Sequence, residues 1–181
     1  MKKQAASAID LIVFGFLLDK AMNAYELANL IIEKQVGRFL KISTPAIYKK
    51  CKSLCAEGML NGKIIKEGEQ PEKTIYSINK KGEQKFFELM EHFSAKITPF
   101  FLDCNTFIWN IEKLEKKQGL KMLKNLHNEL TGLKQWIIQH EKEGSKNISF
   151  AGEAIVKQYR MIISTLLSWS EEIIEDYKKI K

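Results

Sequence analysis

The run Ser43-Thr44-Pro45-Ala46-Ile47-Tyr48-Lys49-Lys50-Cys51-Lys52-Ser53-Leu54-Cys55-Ala56-Glu57-Gly58 decides the fold. Ser43 is a natural N-cap, and Pro45 belongs in a first helical turn, where its missing N–H loses no partner. Ile47, Cys51, Leu54 and Cys55 recur at three- and four-residue steps and form one apolar stripe. Gly58 suits the position just past the helix end. The spacing predicts a helix with one buried face, leaving Ala46, Lys49, Lys50 and Ser53 on the other and Lys52 as added charge.

Two more helices are expected upstream. From Ser7 to Lys20 the chain is apolar, with Ile9, Ile12, Val13, Phe16 and Leu17 at helical spacing. Asn23 with Glu26 three residues on makes a capping box for a second helix bearing Tyr25, Leu27, Leu30 and Ile31, with Gly37 expected to close it. Downstream, Met59 to Lys66 and Lys73 to Ile78 read as strands, joined by the turn-rich Glu67-Gly68-Glu69-Gln70-Pro71-Glu72. Three helices and then a hairpin is the order of a winged helix-turn-helix domain, expected over residues 1–90.

A recognition helix hides one face in the core and presents the other to the major groove. The segment after Ser43 divides in that way. Ser43 and Thr44 place hydroxyls and backbone N–H groups where a phosphate accepts from them. Ala46 is small enough to let the helix approach base edges, and Lys49, Lys50 and Lys52 supply charge. The net charge of +7 agrees, and its distribution says more than its size. Residues 1–80 hold 13 Lys/Arg against 8 Asp/Glu, a net of +5, while residues 81–181 hold 16 against 14. The excess sits where a nucleic-acid surface needs it.

Residues 91–181 read as a helical dimerisation domain. Asn79 caps a helix to about Lys96, and Pro99 is expected to start a short one running through Leu114. Leu123, Leu126, Leu130, Leu133 and Ile137 then step in a heptad-type seam, as do Ile155, Tyr159, Ile162, Leu166, Trp169 and Ile173. Glu143-Gly144-Ser145-Lys146-Asn147 breaks between them, which gives an antiparallel helical hairpin. One hairpin buries only part of such seams, so both are expected to form a homodimer interface. The fold class is thus mainly α with a small β-hairpin.

Other readings are excluded or weaker. Cys51, Cys55 and Cys104 have neither CxxC spacing nor a nearby His, which points to no disulfide framework, no metal site and a reducing cytoplasm. The apolar run near the start is too short to span a bilayer and no cleavage site follows it, so a buried helix is expected. His92, His127 and His140 lie far apart with no HxxxH or HExxH pattern, and no nucleophile has a base nearby; no cofactor and no catalysis are expected.

The blocks Asn23-Ala24-Tyr25-Glu26, Ser43-Thr44-Pro45-Ala46-Ile47-Tyr48, Leu54-Cys55-Ala56-Glu57-Gly58-Met59-Leu60 and Thr74-Ile75-Tyr76-Ser77-Ile78-Asn79-Lys80-Lys81-Gly82 together resemble the PadR family of transcription regulators. The resemblance covers about residues 8–90; the C-terminal helices agree only in order and length. It implies a homodimer held by the C-terminal helices, with one recognition helix and one wing per operator half-site. It further implies that Ser43, Tyr48 and Lys49 lie near the DNA backbone and that Lys63, Lys66 and Lys73 belong to the wing. The chain departs from the family pattern in Asn23, Ala24 and Lys49, and in an acidic wing tip with Glu67, Glu69 and Glu72. Large aromatics at helical spacing are first of all packing. The resemblance adds a small hydrophobic or aromatic effector, with Phe101, Trp109 and Trp136 as its pocket. The rival reading is a winged-helix protein-interaction module without DNA binding, which the acidic wing favours.

Overall fold

A computed structural model describes residues 6–66, 72–97, 101–144 and 149–180. The chain forms two compact units, Met1–Pro99 and Phe100–Lys181. The sequence-based boundary at residue 90 falls inside a single helix, which as one hydrogen-bonded rod is not divisible there.

The first unit begins with α1 (Ala8–Asp19), whose Ser7 cap accepts from the Asp10 N–H at 3.3 Å. Val13 and Phe14 are fully buried and Leu17 nearly so, as befits a helix apolar almost all round. Met22–Asn23 forms β1, and α2 (Ala24–Glu33) follows at once, with Asn23 Oδ1 accepting from the Glu26 N–H at 2.9 Å. Leu27, Ala28 and Ile31 face inward, whereas Tyr25 points to solvent. Gly37 does not close α2. Gln35 takes the left-handed conformation, at φ 55°, and Gly37 sits within a 3₁₀ turn, Val36–Arg38. The earlier turn tucks Val36 into the core, and that burial outweighs the cost of a left-handed side chain.

The helix α3 (Thr44–Ala56) ends in a Schellman motif: Met59 N–H donates to Leu54 O at 2.9 Å and Gly58 N–H to Cys55 O at 3.0 Å. Gly58 supplies the left-handed residue that this geometry requires, at φ 71°. Strands β2 (Leu60–Ile65) and β3 (Lys73–Ile78) pair antiparallel, with Leu60 opposite Ile78 and Ile65 opposite Lys73. β1 adds to the other edge of β3 through Met22 and Tyr76, giving the order β1-β3-β2. The hairpin expected from sequence is therefore part of a three-stranded sheet. α4 (Lys80–Ala95) is capped by Asn79, whose Oδ1 accepts from Lys81 and Gly82 N–H at 3.1 Å each. The same side chain donates to Gly58 O at 3.1 Å, tying the start of α4 to the end of α3.

In the second unit a short helix, α5 (Cys104–Asn110), runs into a 3₁₀ turn, Ile111–Lys113. The expected start at Pro99 lies outside the described residues, and the helix itself begins at Cys104. Two long helices follow, α6 (Lys116–Gly144) and α7 (Phe150–Lys179), each roughly 45 Å long at 1.5 Å per residue. Gly119 lies inside α6 instead of preceding it. A Cβ there would meet Tyr177 of α7, 2.7 Å from its Cζ, so the glycine sets how closely the two helices approach. The α6 seam splits. Leu123, Leu130 and Ile137 are buried at seven-residue intervals within the unit, while Leu133 is 47% exposed. On α7 the buried residues are Ser170, Ile174 and Tyr177; the seam read from sequence, Ile155 to Ile173, is displaced from these and stays half-buried, with Tyr159 exposed. Inside the hairpin, Ser170 Oγ donates to Leu167 O at 2.6 Å and lies 3.1 Å from His127 Nδ1. The single hydroxyl proton is spent on the carbonyl, so Nδ1 of His127 is the donor of the second bond.

Candidate nucleic-acid interface

α3 is anchored by Ile47, Cys51 and Leu54, each no more than 1% exposed. Its N-terminus is capped by Ser43 Oγ, which accepts from Ala46 N–H at 3.4 Å. Ser43 and Thr44 are exposed there, as are Tyr48, Lys49 and Lys52 along the helix. Ala46 is half-buried. All six of these expected residues thus keep accessible surface at the head of α3 or along it.

Two others do not belong to it freely. Ser53 Oγ donates to Glu57 Oε1 at 2.6 Å, an intrahelical bond that occupies the hydroxyl. Lys50 turns inward, its Nζ 2.7 Å from Asp10 Oδ1 on α1, with side chains only 24% and 11% exposed. The sequence expectation that Lys50 lies on the outer face is corrected. It stands three residues after Ile47 and four before Leu54, at the flank of the buried stripe, and its charge compensates a carboxylate inside an apolar helix.

In the wing, Lys63 and Lys66 are exposed and Lys73 is half-buried. Lys63 sits opposite Ile75 in the β2–β3 ladder. The acidic tip read from sequence at Glu67 and Glu69 lies outside the described residues, and Glu72 is exposed. Sequence reasoning missed Arg38 and Lys41, two exposed cationic residues in the turn that leads into α3. Their signal was positional: the turn lies immediately before α3 in the chain. Beside them a cavity of about 320 Å³ opens at the head of α3, lined among others by Ile31, Arg38, Ile42, Ser43 and Ile47.

The cysteines offer little chemistry. Burial pushes the Cys51 thiol up to about 11, so it is protonated at neutral pH and a poor nucleophile or sensor. Burial, and then the neighbouring Cys51 and Cys55, also raise the Tyr76 phenol. No group of three His, Cys, Asp or Glu side chains among the described residues is placed to hold a metal ion. No helix among them is long and apolar enough to cross a membrane.

In the second unit, the three aromatics expected to line an effector pocket do not enclose one within the chain. Phe101 is 89% and Trp109 87% exposed, and Trp136 stacks on His140 at a centroid distance of 3.9 Å. In α5 Phe107 packs against the small core of Ile111, Leu123, Ile174 and Tyr177, whereas Trp109, on the other side of the helix, stays in solvent. Among the expected dimer residues, Leu123, Leu130 and Ile137 are consumed inside the hairpin; Leu126, Leu133, Ile155, Tyr159, Ile162, Leu166, Trp169 and Ile173 keep accessible surface.

No protein-family model matches the sequence, and a search of the curated proteins returns no match. Solved structures do match. PadR of Bacillus subtilis in complex with operator DNA superposes with a TM-score of 0.76 at 14% identity, covering 94% of this chain and 99% of that one. The same regulator with p-coumaric acid gives 0.71 at 12%, covering 97% and 100%. A PadR-like transcriptional regulator from Bacillus cereus gives 0.66 at 16%, covering 94% and 98%. The virulence activator AphA of Vibrio cholerae gives 0.68 at 13%, again covering 94% and 98%. At these identities the likeness establishes the fold: along nearly its whole length, this chain is built as PadR proteins are.

Proposed function

We propose that this chain, built on the PadR fold, is a sequence-specific DNA-binding transcription regulator that acts as a homodimer on a pseudo-palindromic operator. The observation that carries this reading is α3. One face is locked into the core by Ile47, Cys51 and Leu54, and the other offers Ser43, Thr44, Tyr48, Lys49 and Lys52 to solvent. A structural neighbour of nearly the same length is seen with operator DNA. The half-buried α7 stripe from Ile155 to Ile173 supports a dimer, because apolar surface of that extent is what a second copy covers. Regulation in the cytoplasm as a repressor is the working form of the proposal, although one neighbour is named an activator.

Sequencing the DNA that co-purifies with the protein tests the reading directly. Enrichment of an inverted repeat supports it. Recovery of no enriched sequence supports the rival, a winged-helix protein-interaction module.

Release by a small hydrophobic or aromatic effector is the finer part of the proposal. The neighbour bound to p-coumaric acid supports it. Within one chain Phe101 and Trp109 are open to solvent, so a pocket from these residues needs a covering element. Titrating phenolic acids while following tryptophan fluorescence tests it: saturable quenching is expected, and a flat response over the panel rejects the pocket.

A further inference from the structure

Asp10 is an acidic residue in the first turn of a helix otherwise almost wholly apolar, and the residue is only 8% exposed. A carboxylate so placed is costly unless an opposite charge meets it. The charge comes from Lys50, 2.7 Å away in the middle of α3. Besides this pair, α3 meets the core through Ile47, Cys51 and Leu54, with Cys55 packed beside them, and a rotation of the helix would slide these apolar side chains along an apolar surface at a cost in packing only. A charged pair does not tolerate it: turning α3 about its axis would strand Asp10 without a partner. Buried ionic and polar groups are best attested in this register-fixing use.

We propose that Asp10 is a positioning residue for DNA recognition. Through Lys50 it fixes the rotational setting of α3, and it withdraws Lys50 from the phosphate-binding surface that Lys49 and Lys52 occupy. This rests on the DNA-binding reading above. The division of labour between adjacent lysines is its specific content: Lys49 neutralises phosphate, and Lys50 sets the angle at which the helix arrives.

The test is fluorescence anisotropy with the operator recovered from co-purified DNA and with a scrambled duplex, across a salt series, using the full chain. Lys49→Ala should shallow the salt slope by about 0.9 for each lysine that meets a phosphate. Lys50→Met should leave the slope unchanged and lower the ratio of operator to scrambled affinity by ~10-fold, the discrimination of one good base contact. Asp10→Asn should do the same. The reversed pair, Asp10→Lys with Lys50→Asp, should recover the ratio. Because either single variant leaves a buried charge unpaired, the apolar double variant Asp10→Leu/Lys50→Met provides a folded comparison. It should bind with the wild-type slope and reduced discrimination. A Lys50→Met slope that falls as far as that of Lys49→Ala overturns the proposal, as does wild-type discrimination in the folded double variant. If the wild type itself binds every duplex equally, the underlying reading fails, and that result is distinct from either.

Discussion

Gly119 of α6 and Tyr177 of α7 are packed so closely that a Cβ on the glycine would lie 2.7 Å from the tyrosine Cζ. Tyr177 is 9% exposed and belongs to a small core with Ile111, Leu123 and Ile174. Gly119→Ala in a helix interior ordinarily gains roughly 0.5–1 kcal/mol from helix propensity. Here the added methyl must displace a packed ring, so the sign reverses to a loss of about 1–3 kcal/mol. Thermal unfolding of the variant checks this; a raised melting temperature would show that the ring moves aside freely.

The proposed phosphate contacts make binding depend steeply on salt. With roughly 6–10 phosphates neutralised per complex, affinity should fall ~10³–10⁵-fold between ~50 and ~200 mM salt. Anisotropy titrations measure the slope. A nearly flat profile would mean that the exposed lysines of α3 and β2 only solvate their surfaces.

Two leucines of the helical unit should respond differently to the same change. Leu130 is 7% exposed inside the hairpin, whereas Leu166 lies on the half-buried α7 stripe. Leu130→Asp buries an unpaired charge and should cost helical signal and melting temperature. Leu166→Asp should retain the helical spectrum and sediment as a monomer. If Leu166→Asp remains a dimer, the α7 stripe is not the interface.

Cys51 predicts an alkaline weakness. Its thiol ionises near 9.0 when unfolded and is pushed to about 11 by burial in the fold. Between those values the unfolded chain releases a proton that the folded one keeps, so stability falls as pH rises, by about 1.4 kcal/mol per pH unit for this group. Below pH 9 the contribution is fully present. Urea melts at pH 8 and near pH 11 should show a larger loss for the wild type than for Cys51→Val. Equal losses would assign the alkaline sensitivity to other groups.

Features set by neighbouring residues were legible in the sequence, and features set by distant ones were not. The caps at Asn23, Ser43 and Asn79 and the left-handed Gly58 are local hydrogen-bond and backbone requirements, and each is where the residue types indicate. β1 has two residues and no periodicity; it exists only as a pairing with Ile75 and Tyr76. The heptad spacing of α6 marks apolar positions without saying which helix covers them, and Leu130 and Leu133 went to different sides. Lys50 is the same kind of failure at the site. Its position flanking Ile47 was readable, and so was an acid in the first turn of α1, but only the fold brings the two together.

The strand order β1-β3-β2 leaves β3 paired on both sides and gives the sheet just two borders among the described residues. One border is a strand of two residues, too short to template a foreign chain. The other, β2, carries exposed Lys63, with exposed Lys66 following it. A charged lysine on an open border repels the same strand of another molecule, the means by which β-proteins resist aggregation. Lys63 and Lys66 therefore have a duty in the absence of any nucleic acid, and replacing them with apolar residues should make the protein precipitate at concentrations where the wild type stays dispersed.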